Sequence, residues 1–290
     1  LWNKICTSKL HHKIREKFML NIKFKNKELS FWQIEMLTKE HKLNKYELLA
    51  SAFNQEILYS GEIELLKNFI LSLRNISHVL KSQIFQDAFA HFIIGQKYEK
   101  SFLEFGATNG LDLSNTFFLE NNMNWSGVLA EPSPQWHMSL EDNRPKAKIL
   151  KKCIWKSSGD KLKFFMSDLG ELSTLNDFTH SDETTLPQNT ALRIKSGRVI
   201  EVNTISLNDV MKEYFNDKAP SYISVDTEGS EFEILSSFDF KKYKPIFFSV
   251  EHNFTSIESK IDDLMISNEY IRVFNKLTSF DAWYLRNDII

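Results

Sequence analysis

From residue 101 onward, short apolar segments alternate with longer amphipathic ones, and this alternation limits the chain to few architectures. The short segments have the length and apolar content of buried β-strands, and the longer ones have helical periodicity. Strands that alternate with helices form a mostly parallel sheet covered on both faces, so the predicted fold class is α/β. The predicted sheet has seven strands, five at 101–107, 126–131, 148–154, 222–226 and 246–251, then an antiparallel pair at 270–274 and 282–286.

Helices are predicted between these strands, and one of them carries its own start signal. Ser206, followed three residues later by Asp209, is typical of a helix cap. Two further strands, at 161–166 and 198–203, enclose a polar segment at 168–190 that is long enough to be a lid or a binding segment. The predicted helices cover residues 113–121, 134–142, 206–215, 230–237 and 257–267.

The first 80 residues are predicted to be helical, which divides the chain into a helical region 1–80 and an α/β domain 81–290. Ser30 with Gln33 and Asn44 with Glu47 fit the capping-box pattern. The first 50 residues contain eleven Lys and Arg against five Asp and Glu. This excess fits a solvated helical surface, or a contact with anionic lipid or a phosphorylated partner. The helices could also join two copies of the chain.

Composition excludes several classes of protein. Hydrophobic residues make up 42% of the chain and charged residues 26%, as is ordinary for a globular protein, and a net charge of −2 argues against a whole-chain nucleic-acid binder. No apolar run approaches the 18 or so residues of a transmembrane helix. Cys6 and Cys153 are the two cysteines, so no disulfide scaffold is expected. The expected location is the cytoplasm, with the inner membrane surface as the alternative.

Distinctive polar residues follow the predicted strands at their carboxyl ends, where open α/β sheets bind their ligands. Glu104 ends the first strand and is followed by a turn that contains Gly106 and Gly110. Glu131 ends the second strand. The fourth and fifth strands end in Asp226-Thr227-Glu228-Gly229 and Glu251-His252-Asn253.

The glycine turn separates two classes of cofactor. Dinucleotide folds carry G-x-G-x-x-G, which lets a helix N-terminus approach a pyrophosphate. Here Gly106 and Gly110 enclose three residues, and the turn has no basic residue, which favours a cofactor without phosphate. S-adenosylmethionine is such a cofactor, and Glu131 could accept hydrogen bonds from both ribose hydroxyls. The alternative for Glu131 is an acidic residue that stabilises the N-terminus of the next helix.

Six motifs recur in order along residues 82–286, which are roughly 70% of the chain. They are Ser82-Gln83 with Gln86-Asp87, Glu104-Phe105-Gly106-Ala107, Leu113-Ser114-Asn115-Thr116, Glu131-Pro132, Ser224-Val225-Asp226-Thr227-Glu228-Gly229 and Val250-Glu251-His252. With these motifs the segment resembles the FkbM family of S-adenosylmethionine-dependent methyltransferases. The resemblance implies a Rossmann-like class I methyltransferase fold and O-methylation of a hydroxyl on a sugar or secondary metabolite. The chain departs from the family at Asn109, where Asp is common, and at Phe85, where Gly is frequent.

The resemblance and the positions of the motifs together predict the cofactor site. The glycine turn and the segment after it would line the methionine end, Glu131 and Ser133 would hold the ribose, and Cys153 and Ile154 would flank the adenine. The alternative for Cys153 is a small buried apolar residue. The full predicted set is Glu104, Gly106, Ala107, Asn109, Gly110, Ser114, Asn115, Thr116, Glu131, Ser133, Cys153, Ile154 and Asp226.

A hydroxyl acceptor must lose its proton, and the chain offers two ways to remove it. His252 could act as a general base, while Asp226 and Glu228 are the other candidate catalytic residues. Alternatively, Asp226 and Glu251, with His252, could hold Mg²⁺ or Mn²⁺, which would lower the pKa of the hydroxyl. A third interpretation is that Asp226 and Glu228 cap the following helix and Glu251 binds backbone or substrate.

The sequence therefore predicts an S-adenosylmethionine-dependent O-methyltransferase that acts on a hydroxyl of a sugar, surface glycan or secondary metabolite. A small-molecule or glycan acceptor is the expected partner. The alternative is a non-catalytic scaffold that keeps a methyltransferase-like fold, which Asn109 favours. A nicotinamide-dependent oxidoreductase is disfavoured by the glycine spacing.

Overall fold

The computed structural model describes residues 63–275 and 277–289. The chain divides into two compact units between Arg74 and Asn75. The first unit contributes the helix Ile63–Ser72, in which apolar residues at helical spacing are buried, among them Leu66, Phe69 and Ile70. The capping boxes at Ser30 and Asn44, the basic segment and its predicted role in dimerisation lie outside the described residues.

The second unit contains two sheets. In chain order the strands are β1 Ser101–Phe105, β2 Ser126–Ala130, β3 Lys148–Leu150, β4 Cys153–Trp155, β5 Lys161–Ser167, β6 Thr174–Leu175, β7 Gly197–Ser206, β8 Tyr222–Val225, β9 Phe247–Glu251, β10 Tyr270–Val273 and β11 Asp281–Arg286. The seven-stranded sheet has the order β10-β11-β9-β8-β1-β2-β3, and the four-stranded sheet has the order β4-β7-β5-β6.

The helices of this unit follow most of the strands. Ser206 caps one of them by accepting a hydrogen bond from the backbone N–H of Asp209, as the sequence predicts. Three 3₁₀ turns, Gly170–Leu172, Asn176–Phe178 and Asn287–Ile289, supplement the α-helices. The α-helices are Gln86–Ile94, Phe117–Met123, His137–Asn143, Pro187–Lys195, Leu207–Tyr214, Glu231–Leu235 and Ile257–Ser267.

The predicted α/β class with a mostly parallel seven-stranded sheet is confirmed. β3, β2, β1, β8 and β9 pair in parallel, and β11 pairs antiparallel with both β9 and β10. Every residue of β1, β8 and β9 is buried, as expected for strands covered by helices on both faces. On one face the apolar core includes Leu103, Val128, Ile223, Phe248 and Leu235.

The predicted strand 148–154 is wrong as a single element. β3 ends at Leu150, and β4 starts at Cys153 in the other sheet, where it pairs in parallel with β7. Lys151, in the connection, is exposed and forms a surface ion pair 2.6 Å long with Glu141. Lys151 and Lys152 therefore separate two short apolar segments, which the sequence prediction combined into one strand.

The predicted helix 113–121 begins later than expected, at Phe117. Leu113 has a left-handed backbone, with φ of 59°, and forms an isolated bridge with Ser82. The helix therefore cannot start at Leu113, and the polar residues 114–116 form hydrogen bonds with the sheet instead.

Candidate active site

The register of the parallel strands places the predicted polar residues in one row. Phe105 pairs with both Ala130 and Val225, and Val225 pairs with Val250. The next residue on each strand is therefore Glu131, Gly106, Asp226 and Glu251, in that order across the sheet, and Asp281 of β11 pairs with Glu251. Four distant parts of the sequence thus meet at the carboxyl edge, where α/β sheets bind ligands.

Gly106 and Gly110 are required by close packing as well as by backbone conformation. Their φ angles are +78° and +73°. A Cβ on Gly106 would lie 1.9 Å from the carbonyl oxygen of Asp226, and one on Gly110 would lie 2.5 Å from Leu140. The N–H groups of Gly106 and Ala107 donate to the Ala130 carbonyl, at 3.1 and 3.3 Å. The turn is therefore fixed against β2 on one side and the Asp226 turn on the other.

Glu131 bridges the glycine turn and the segment after β2. One carboxyl oxygen accepts from the N–H of Thr108 at 2.9 Å, and the other accepts from the N–H of Ser133 at 2.7 Å. Burial raises the pKa of Glu131 to about 7, against the opposing effect of these two hydrogen bonds. The buried hydroxyl of Ser133 has no hydrogen-bond partner among the described residues. Both side chains therefore keep capacity for a hydroxyl-bearing ligand.

Ser114 and Thr116 were predicted to line the methionine end of the cofactor, and their hydroxyls bond to Glu104. Glu104 accepts from the Ser114 hydroxyl at 3.0 Å, the Asn115 N–H at 2.7 Å and the Thr116 hydroxyl. All of these groups are buried. Glu104 is therefore an anchor that holds segment 114–116 against the sheet.

The Asn115 side chain bonds to a different strand, β8. Its side-chain amide donates to the Ser224 hydroxyl at 2.9 Å, while its buried Oδ1 has no partner among the described residues. Ser224 lies on β8, two residues before Asp226. Asn115 is therefore the member of the 114–116 segment that retains a free buried polar atom.

Sequence reasoning missed Arg144, a fully buried residue at the C-terminal end of the helix His137–Asn143. Its guanidinium pairs with the equally buried Glu120 at 2.7 Å and donates to the Gly110 carbonyl at 3.1 Å. It also contacts Ser114 and Thr116. A single Arg beside other charged residues gives no sequence signal of burial, since most arginines are exposed.

The Asn109 side chain stabilises the glycine turn by hydrogen bonds. Its Oδ1 accepts from the N–H groups of Leu111 and Asp112, both at 2.9 Å, and its amide donates to the Asp112 carboxylate at 2.8 Å. An Asp at this position would place two carboxylates together. Asn109 therefore suits the neighbouring Asp112 carboxylate better than Asp would. The departure from the family pattern is not by itself a sign of lost function.

Three carboxylates form a cluster at the middle of the row. Ligand atoms of Asp226, Glu228 and Glu251 all lie within 4.8 Å of one another. Burial, reinforced by the other acids, raises the pKa of Asp226 and of Glu251 well above their usual range. Two carboxyl groups this close do not both ionise readily, which favours one proton on the pair. The pair can therefore accept or release a proton.

Glu228 is held by a buried cation that the sequence did not reveal. Arg193, from the helix Pro187–Lys195, lies 2.7 Å from Glu228 and 2.6 Å from Asp182, and its side chain has no exposed surface. Burial raises the pKa of Glu228 to about 7, although Arg193 opposes the shift. The predicted polar segment 168–190 is thus attached to the site through Asp182 and Arg193.

His252 does not join the carboxylate cluster. Its Nδ1 accepts from the Phe254 N–H at 3.1 Å, and its Nε2 lies 3.4 Å from the Arg272 guanidinium. Burial lowers the pKa of His252, partly offset by Glu258. Both ring nitrogens therefore lie against residues outside the cluster, and His252 is not part of the described group that could hold a metal ion.

Cys153 and Ile154 lie on β4 and are buried. Burial, with a smaller contribution from Glu131, raises the pKa of the Cys153 thiol to about 12. The thiol is therefore neutral and suits an apolar contact rather than nucleophilic chemistry.

The geometry fits a sulfonium nucleoside better than a phosphate-bearing cofactor. Buried polar atoms of Ser133 and Asn115 lack partners among the described residues, and an acidic residue ends β2. The row also carries several carboxylates, which would repel phosphates and attract a cation. Glu131, Ser133 and Asn115 are therefore the side chains with capacity to hold S-adenosylmethionine.

A seven-stranded sheet of this order, with an acidic row at its carboxyl edge, defines the class of Rossmann-like methyltransferases. Comparison with known families agrees: the Methyltransferase FkbM domain matches residues 104–276. The chain therefore belongs to the FkbM methyltransferase family and is an S-adenosylmethionine-dependent methyltransferase.

The precorrin-6y C5,15-methyltransferase from Geobacter metallireducens GS-15 is a similar solved structure, with 10% identity, a TM-score of 0.36, and coverage of 69% of this chain and 85% of that chain. No curated protein matches the sequence. Within residues 63–275 and 277–289, no helix is long and apolar enough to cross a membrane.

Proposed function

We propose that this FkbM family member transfers the methyl group to a hydroxyl oxygen of a sugar, a surface glycan or a secondary metabolite. The observation that supports it best is the cluster of Asp226, Glu228 and Glu251 beside the Gly106 turn. A hydroxyl is a weak nucleophile, so its methylation needs a group that accepts its proton. The close carboxyl pair Asp226 and Glu251, whose pKa values are both raised, is suited to this step.

The cofactor would lie along the row of strand ends. Bound S-adenosylmethionine supplies a methyl group already activated by the sulfonium. Glu131 would accept the ribose hydroxyls, since each of its oxygens uses one acceptor site on a backbone N–H and keeps another. Ser133 and Asn115 would contribute the buried polar atoms that lack partners.

Asp226 is the proposed general base. It is the member of the row whose backbone touches the glycine turn, so its side chain starts beside the cofactor segment. Burial and, after it, the charge of Glu228 raise the pKa of Asp226, which makes it a stronger base than an exposed Asp. A carboxylate at this position would remove the hydroxyl proton as the oxygen attacks the methyl carbon.

A divalent cation is the second way in which the cluster could act. Three carboxylates within 4.8 Å present the hard oxygen ligands that Mg²⁺ and Mn²⁺ prefer. In this version Asp226, Glu228 and Glu251 would hold the cation, and the cation would lower the pKa of a bound hydroxyl. Asp226→Asn removes activity in both versions, but a chelator removes it only if a cation is needed.

Calorimetry on the full chain tests the cofactor first. Binding of S-adenosylmethionine and S-adenosylhomocysteine is expected in the micromolar range, and transfer of a labelled methyl group to a panel of glycans and hydroxylated metabolites should follow. Asp226→Asn should reduce transfer by about 100-fold or more, while exposed Asp263→Asn should leave it unchanged.

The scaffold alternative makes the opposite prediction. If neither nucleoside binds at millimolar concentration, the chain is not a methyltransferase in practice and the proposal fails. If both bind but only nitrogen or carbon acceptors are methylated, the hydroxyl assignment alone is wrong.

A further inference from the structure

Arg193 is a buried cation that is fully engaged beside the carboxylate cluster. Its guanidinium has five N–H donors, and each has an acceptor. Nε donates to the Leu172 carbonyl at 2.9 Å, Nη1 to the Thr179 carbonyl at 3.1 Å and to Asp182 at 2.6 Å, and Nη2 to Asp182 at 3.2 Å and to Glu228 at 2.7 Å. The side chain therefore has one fixed orientation.

Four of these five bonds stay within segment 168–195, and the fifth leaves it for Glu228. Two hydroxyls of the same segment also bond to the turn that carries Glu228. Thr174 donates to the carbonyls of Thr227 and Glu228, both at 3.1 Å, and Ser181 donates to the Glu228 carbonyl at 3.2 Å. The segment thus contacts both the backbone and the side chain of one residue.

Glu228 needs such support. Its backbone is left-handed, with φ of 59°, a conformation that is costly for a residue with a Cβ. Its carboxylate also lies within 4.8 Å of two other acids, which repel it when charged. Without a fixed cation on its other side, the carboxylate would turn away from Asp226 and Glu251.

We propose that Arg193 is a positioning residue that holds the Glu228 carboxylate in the cluster with Asp226 and Glu251, where its charge favours the sulfonium form of the cofactor. This inference rests on the proposed use of the cluster beside the methyl group. Arg193 acts through Glu228 and does not touch the cofactor.

The test compares the dissociation constants of S-adenosylmethionine and S-adenosylhomocysteine, which differ in charge at sulfur. Calorimetry would measure the ratio for the wild type, R193K, R193Q, E228Q and the double variant R193K/E228Q. R198K, an exposed arginine on β7, is the matched control. Folding of each variant is checked by near-ultraviolet circular dichroism and thermal unfolding.

E228Q is expected to weaken binding of S-adenosylmethionine by about tenfold relative to binding of S-adenosylhomocysteine, since it removes one negative charge near the sulfur. R193K and R193Q should shift the ratio in the same direction by about three- to tenfold. A through-space effect of losing the positive charge in R193Q would have the opposite sign. The double variant should be no worse than E228Q, because Arg193 acts through that carboxylate.

An unchanged ratio in folded R193K and R193Q, or effects of R193K and E228Q that add in the double variant, would overturn the proposal. If both Arg193 variants fail to fold, E228Q decides, since an unchanged ratio there removes the role that Arg193 would support. A wild-type chain that binds neither nucleoside contradicts the proposed function instead, so the two failures are distinguishable.

Discussion

The backbone of Gly106 touches the backbone of Asp226, so that a Cβ built on Gly106 would lie 1.9 Å from the Asp226 carbonyl oxygen. The turn after β1 and the turn after β8 therefore pack directly on each other. The first is the predicted cofactor turn, and the second carries the proposed base. Their separation is fixed by the absence of a side chain at one residue.

Gly106→Ala is expected to destabilise the protein by about 2–5 kcal/mol, since both the left-handed backbone and the overlap with Asp226 must be relieved. Urea unfolding measures this change. Gly159→Ala is the matched control, because Gly159 has φ of +86° with nothing within 4 Å of the added Cβ. The control should cost about 1–2 kcal/mol from backbone strain alone. Equal costs at both positions would contradict the packing explanation.

Glu131→Gln is expected to weaken binding of S-adenosylhomocysteine by about tenfold or more, because the amide nitrogen cannot accept hydrogen bonds as the carboxylate does. Calorimetry of the folded variant gives the affinity. Glu141→Gln, at an exposed residue, should bind like the wild type. Unaltered affinity in Glu131→Gln would show that the ribose lies elsewhere.

Asp281 should make the free energy of unfolding depend on pH. Burial raises the pKa of Asp281 from 3.8 to about 7. The folded protein therefore binds more protons than the unfolded chain between these values, and this contribution to stability is lost as pH rises from about 4 to 7.

Asp281→Asn keeps an acceptor for Gln86, which donates to Asp281 at 2.9 Å, but cannot ionise. Relative to wild type, the variant should gain stability as pH rises, by on the order of 3 kcal/mol between pH 4 and 8. Urea unfolding at several pH values tests this, with exposed Asp263→Asn as the control. A constant difference between Asp281→Asn and wild type would argue against a shifted Asp281.

Arg144→Met should destabilise the protein by about 3–5 kcal/mol, since it leaves the buried Glu120 carboxylate without its cation. Lys151→Met breaks an exposed ion pair of similar length, 2.6 Å, and should cost at most about 1 kcal/mol. Thermal unfolding compares the two. Adding Glu120→Gln to Arg144→Met should recover part of the loss; if it recovers none, the cost comes from packing and not from the unpaired charge.

Asn109→Asp should destabilise the glycine turn by about 1 kcal/mol, because it replaces the hydrogen bond to Asp112 with a contact between two carboxylates. The second change Asp112→Asn should restore stability, since it exchanges the two partners. Unfolding of the single and double variants measures the coupling. A neutral Asn109→Asp would mean that the 2.8 Å contact contributes nothing in solution.

The row of strand ends could be predicted from the sequence because it depends on local patterns. Apolar runs gave the strands, and parallel strands bring their carboxyl ends to one edge, so Glu131, Asp226 and Glu251 had to approach one another. The helix Ile257–Ser267 was predicted with the observed limits, and the antiparallel pair at the end of the chain is also observed.

The charged partners of the row could not be predicted in this way. Arg144 and Arg193 sit in polar stretches that resemble solvated surface, and their ion pairs with Glu120 and Glu228 join residues 24 and 35 positions apart along the chain. The orientation of His252 likewise depends on Arg272, from a different strand. Sequence periodicity carries no information on such long-range pairs.

Phe85 shows how the structure accommodates a departure from the family pattern. Its φ is 73°, a conformation that glycine adopts freely, and its side chain is buried. A glycine there would relieve strain of about 1–2 kcal/mol but leave a cavity that costs about 3–5 kcal/mol. The larger packing energy explains why an aromatic residue is tolerated at a left-handed position.

The four-stranded sheet is one uninterrupted stretch of the chain, from Cys153 to Ser206, and its first strand, β4, pairs with the end of its last long strand, β7. The points where the chain enters and leaves this sheet, at Cys153 and Ser206, are therefore close together. The stretch could be exchanged as a cassette between related enzymes without rethreading β1, β2, β8 or β9, provided that a cation equivalent to Arg193 is kept. Residues 153–206 could then lengthen or shorten while the strand order of the large sheet stays the same.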